Sequence, residues 1–127
     1  MPYIHADYSQ ELLSKDQLKS LVALLLKTSG AAFNYNDEQA QEMVSIFTSA
    51  YQEADHSLAA AEIEVKAKIL EFDHETKSRA EVREEKMALY KEALEQFIGD
   101  EKIQAAIIFT ITFEDWSVAF MPGVKTN

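Results

Sequence analysis

The sequence contains no cysteine. That removes disulfides, thiolate metal sites and a thiol nucleophile together, and it leaves the redox compartment unreadable from this residue type. Glycine occurs three times and proline twice, so there is little room for disordered segments or long linkers. Long apolar runs are also missing. The longest, Leu21 to Leu26, falls far short of the roughly 20 residues that a membrane-spanning helix needs. The opening MPYIHADYSQ has neither the basic start nor the apolar stretch of a secretory signal. These absences predict a cytoplasmic protein with no membrane partner.

Positive charge is scarce as well. Twelve Lys and Arg against 22 Asp and Glu give a formal charge of −10. A chain this acidic repels nucleic acid and anionic lipid, so neither is an expected partner. Familiar catalytic signatures are missing too: no Gly-rich phosphate loop, no G-x-S-x-G elbow and no H-E-x-x-H. The three histidines, His5, His56 and His74, show no ligand spacing, and no metal site is expected.

What remains is a pattern for one domain over residues 1–127. At this length a chain buries roughly two-thirds of its unfolded surface, and 47% hydrophobic residues supply a core. Pro2 to Tyr8 alternates as a strand. Ser14 and Gln17 have capping-box spacing, and Leu18, Leu21, Val22 and Leu25 form one face of a helix that Gly30 is placed to end as a left-handed cap. Ala31 to Glu42 reads as a polar connection. Val44 to Glu53 is a second strand, followed by turn formers at Asp55, His56 and Ser57. Ala61 to Ile69 alternates apolar with charged residues, as a strand with one covered face does.

A second helix is predicted from about Ser78 to Ile98, with a buried stripe of Met87, Tyr90, Leu94, Phe97 and Ile98. Arg83 and Lys86 fall among its solvated positions, with Arg79 and Arg83 on the outer face. Ala105 to Phe113 is the last strand, before a tail over 116–127. The fold class is therefore α+β: two β-α-β halves, about 1–57 and 58–115, forming a four-stranded mixed sheet with two helices on one face. The other face would carry Lys66, Lys68, Glu64 and Phe47. Such a mixed surface suits a subunit interface.

Pro2 is the position with chemical potential. Removal of Met1 would expose a secondary amine, whose reference pKa near 8 falls in apolar surroundings because the cation is disfavoured. A neutral amine is a competent base beside a carbonyl. Proline after an initiator methionine is also frequent without any function.

The opening M-P-Y-I-H-A-D-Y-S, with S-R-A-E-V at Ser78 to Val82 and T-F-E at Thr112 to Glu114, resembles the tautomerase superfamily. The two-half length is most similar to its 5-carboxymethyl-2-hydroxymuconate isomerase branch. The resemblance implies a tautomerase-like homotrimer with sheets packed around an axis, Pro2 as general base, no cofactor, and a small unsaturated keto or enol acid as substrate. It also implies cations for the substrate carboxylates. His74 or Lys66 is the expected helper, and Tyr3, Phe33, Tyr35, Phe47, Trp116 and Phe120 are expected pocket residues. The chain departs from the family in having no Lys or Arg between Lys27 and Lys66. Glu42 and His74 stand near positions where the family carries arginine. A catalytically inactive scaffold or a small-molecule binding protein is the alternative reading.

Overall fold

The computed structural model describes residues 2–52, 63–71 and 79–115. The expected turn at Asp55 to Ser57, the expected helix start at Ser78, His74, Trp116, Phe120 and the tail lie outside them. The elements run β1 (Pro2–Tyr8), α1 (Lys15–Ala32), α2 (Asp37–Met43), β2 (Ser45–Ala50), β3 (Ile63–Glu71), α3 (Arg79–Glu101) and β4 (Ile107–Asp115). They build one mixed sheet in the order β2-β1-β3-β4. A helical crossover returns the chain to the same end of the sheet, so β1 pairs with β2 in parallel and β3 with β4 likewise. The two halves join antiparallel through β1 and β3.

Strand alternation decides which face the helices cover. Ile4 and Ala6 of β1, Ile63, Val65, Ala67 and Ile69 of β3, and Ile111 of β4 are buried. Leu21 and Leu25 of α1 and Tyr90, Leu94 and Phe97 of α3 close over them. Tyr3 and Phe47 point the other way and are exposed. The Ser14–Gln17 capping box forms as expected: Ser14 Oγ accepts from the Gln17 amide at 3.1 Å, and Gln17 Oε1 accepts from the Ser14 amide at 2.9 Å.

Three details differ from the sequence reading. The polar connection after α1 contains a third helix, α2. Asn36 caps it with the same reciprocal pairing to Gln39, at 2.8 and 2.9 Å. Gly30 is not a cap, because α1 continues through it to Ala32 and no glycine among the described residues has positive φ. Its role is spatial: a Cβ there would lie 3.3 Å from the Tyr35 carbonyl oxygen and 3.6 Å from Ala40 Cβ. The left-handed turn falls instead on Asn34, at φ 57°. Finally, α3 runs past Gly99 to Glu101. Lys102 then takes φ 54°, which brings the Ile103 amide to the Ile98 carbonyl at 3.1 Å.

Candidate active site

Pro2 opens β1 on the helix-covered face, with the same parity as Ile4 and Ala6, and its side chain is fully buried. Across the sheet Pro2 stands opposite Ile69, and Ile69 stands opposite Phe113. At about 4.8 Å between strands, the Pro2 and Phe113 backbones are roughly 10 Å apart. On the other side the Tyr3–Ser45 register sets the buried Val44 next to Pro2. The residue is thus embedded in an apolar row.

The antiparallel junction of the halves decides what else gathers at this end of the sheet. The start of β1 meets the ends of β3 and β4, so the first turns of α3 also lie here. The end of α1 returns here to feed β2. Lys86 of α3 donates from Nζ to the Ala32 carbonyl at 2.8 Å, and its ammonium sits 4.0 Å above the Phe33 ring. That carbonyl belongs to the last turn of α1, where a cation complements the negative end of the helix. Phe33 stacks on Tyr35 with centroids 5.9 Å apart. Arg83, one turn earlier, holds its guanidinium 5.3 Å from the centre of the Phe113 ring. This corrects the expectation for Lys86, which is half-buried; Arg83 is exposed as expected, but its guanidinium also rests on an aromatic ring at the Pro2 end.

One turn deeper, the Tyr90 hydroxyl and Ser29 Oγ form a buried hydrogen bond of 2.6 Å between α3 and α1. The Tyr90 ring stacks on Phe109 at 4.7 Å. Burial pushes the phenol up to about 12, because the anion would lose its hydration, and the Ser29 bond offsets this only in part. Residues 83, 86 and 90 therefore tie α3 to β4 and α1 at successive levels, which fixes the cations relative to the sheet end.

The remaining expected residues are divided. Phe33 is at the Pro2 end. Lys66 and Phe47 are on the opposite sheet face, each directly across a strand from His5. His74 and Trp116 lie outside the described residues. On that opposite face Tyr3, His5, Asp7, Phe47, Ser49, Lys66 and Lys68 line a shallow depression of about 690 Å³. His5 Nε2 is 3.1 Å from Ser49 Oγ and 3.1 Å from Asp7 Oδ1. Both partners use the same nitrogen, so Ser49 is not activated in the manner of a hydrolase triad, where acid and nucleophile take opposite nitrogens. Among the described residues no cluster of His, Asp and Glu is arranged to hold a metal ion, and no helix is long and apolar enough to cross a membrane.

No family model and no curated protein matches the chain. Solved structures do. A member of the cis-3-chloroacrylic acid dehalogenase (cis-CaaD) family matches with a TM-score of 0.64 at 8% identity, over 89% of this chain and 75% of that one. Malonate semialdehyde decarboxylase matches at 0.63 and 13%, over 97% and 92%. A fused 4-OT, solved as an asymmetric trimer, matches at 0.55 and 12%, over 87% and 86%. At such identities the likeness establishes the fold: an α+β, four-stranded mixed sheet with three helices, as in these tautomerase-like structures.

Proposed function

We propose that this chain is a tautomerase-type, cofactor-independent isomerase in which Pro2, freed by removal of Met1, moves a proton on a small unsaturated keto or enol acid. The observation that carries the reading is the position of Pro2 in an apolar row, at the sheet end where Lys86 and Arg83 rest on Phe33 and Phe113. Malonate semialdehyde decarboxylase, which shares the fold, has been studied as a mutant with the proline at its first position replaced by alanine. That supports giving weight to a proline at the head of β1.

The chemistry follows from the surroundings. Val44 and Ile69, the apolar neighbours of Pro2 across the sheet, would disfavour the cation of the freed amine and favour its neutral form at working pH. The amine takes a proton from carbon next to the carbonyl, electrons move onto the carbonyl oxygen, and a dienolate forms. Return of the proton at a different carbon completes the double-bond shift. Lys86 and Arg83, three residues apart on one helix, are neighbours on its surface. They attract the substrate carboxylate and the charge that develops on oxygen. This cation pair takes over the work that the family's arginines do elsewhere.

A reaction of the 5-carboxymethyl-2-hydroxymuconate isomerase kind, in a cytoplasmic homotrimer, fits these features. The open sheet faces would pack around the axis, so that Lys66 and Phe47 serve an adjoining subunit; His74 and Trp116 are further substrate-binding candidates. The lack of any Lys or Arg from 28 to 65 favours a second reading, an inactive tautomerase-fold binder. Two measurements separate them. Mass spectrometry of the protein from its own cells must find Met1 removed. A phenylenolpyruvate-type tautomer assay must lose at least a hundredfold in rate with Pro2→Ala, since general bases contribute about 10²–10⁴. Equal rates for wild type and variant would leave the binder.

A further inference from the structure

A cavity of about 500 Å³ lies between α1 and the short helix α2, inside the size range of small-molecule sites. Leu26 and Gly30, one turn apart on α1, and the buried Ala40 of α2 form its apolar floor. Gly30 keeps that floor open. A Cβ at this position would point into the gap, toward the Tyr35 carbonyl oxygen at 3.3 Å and Ala40 Cβ at 3.6 Å. Tyr35 supplies a wall, held by the hydrogen bond from its amide to the Gly30 carbonyl at 2.8 Å and by its stack on Phe33. Neither Pro2 nor Arg83, Lys86, Phe33 or Phe113 is among the described residues that line this cavity. It is separate from the site at the head of β1.

Two side chains of opposite charge share the walls, Lys27 from α1 and Asp37 from α2. Among the described residues neither belongs to a salt bridge. Opposite charges that line one cavity without neutralising each other offer two handles to a ligand that bears both signs. A plain anion would meet Asp37 and the field of a chain with a formal charge of −10. A plain cation would meet Lys27. A zwitterion is neutral overall, complements both groups and leaves an apolar part for Leu26, Ala40 and the Tyr35 ring.

We propose that this cavity binds a small α-amino acid with an apolar side chain. Lys27 takes the carboxylate, Asp37 takes the ammonium, and the side chain lies on the Leu26–Ala40 floor beside Tyr35. Both charged residues are exposed, so each ion pair contributes modestly. The affinity is correspondingly weak, with a dissociation constant of about 1 mM. The proposal concerns binding alone and does not rest on the chemistry assigned to Pro2.

The test titrates the isotopically labelled full-length chain with L-phenylalanine, L-leucine and L-methionine, each to about 10 mM, and follows amide resonances. At least one ligand should bind and should move the Leu26, Gly30, Tyr35 and Ala40 signals. Lys27→Gln and Asp37→Asn should each weaken it about threefold to fivefold. Both positions are exposed, so the variants should fold, as far-UV dichroism checks. Removing one charge from the best ligand, as its decarboxylated amine or its deaminated acid, should cost as much as the matching substitution. Arg83→Gln, at the Pro2 end, should change nothing. The proposal is overturned by no binding from any of the three, by unweakened binding in Lys27→Gln and Asp37→Asn, or by an amine or acid that binds as well as the amino acid. Weaker binding in Arg83→Gln would move the ligand to the Pro2 end and overturn it too. None of these outcomes bears on the rate effect of Pro2→Ala, which tests the isomerase reading separately.

Discussion

The Tyr90 hydroxyl lies 2.6 Å from Ser29 Oγ, buried where α3 crosses α1. Burial of the phenol makes stability depend on alkaline pH, and the Ser29 bond offsets this only in part. The phenol's folded value is raised from 10.0 to about 12, so this contribution is intact below pH 10 and is lost as pH rises toward 12, where the unfolded chain gives up its proton first. A separation of that size corresponds to about 2–3 kcal/mol. Urea midpoints should fall between pH 9 and pH 11.5, and Tyr90→Phe should flatten much of that fall. At neutral pH the same substitution strands the Ser29 hydroxyl and should cost about 1–3 kcal/mol.

Lys86→Met keeps a stem on Phe33 while removing the charge. If the ammonium draws in the substrate carboxylate, KM should rise by about tenfold, roughly 1.4 kcal/mol of uniform binding, with kcat changed much less. Steady-state kinetics on an enol acid and on its methyl ester distinguish the cases: the ester should not sense the substitution. Loss of the bond to the Ala32 carbonyl should lower stability by only about 1 kcal/mol, because the group is part-buried.

Asn36→Ala removes the Oδ1 that accepts from the Gln39 amide at the start of α2, while the backbone amide of residue 36 can still donate to Gln39 Oε1. A loss of about 0.5–2 kcal/mol is expected, read from the urea midpoint.

Gly30→Val should destabilise by about 1–3 kcal/mol, because the added atoms meet the Tyr35 backbone and Ala40. Gly30→Ala should be close to neutral. Its gain in helix propensity of about 1 kcal/mol opposes the 3.3 Å approach to the Tyr35 oxygen. Thermal melts of the pair check the ordering.

The strands were legible because each alternates: Ile63, Val65, Ala67 and Ile69 against Glu64, Lys66 and Lys68 admits one orientation only. The helix stripe of Tyr90, Leu94 and Phe97 was legible for the same reason at period 3.6. By contrast α2 was hidden inside a polar stretch with a single buried residue, Ala40. Its one signal was Asn36 three residues before Gln39, the spacing already recognised at Ser14 and Gln17. Lys86 was misplaced, and the ring contact of the exposed Arg83 was unforeseen, because long cationic side chains lay their stems over apolar neighbours. Which way they lean depends on Phe33 and Phe113, which only the tertiary fold brings near. Gly30 was given a conformational task when its task is clearance, which local sequence does not distinguish.

The inner position of β1 bears on how the chain is made. Synthesised before the other three strands, β1 can satisfy one edge with β2 once residue 50 has appeared. Its other edge must wait for residues 63–71. Throughout that interval a half-finished polypeptide presents a bare row of amide and carbonyl groups, open to pairing with any nascent neighbour on the same message.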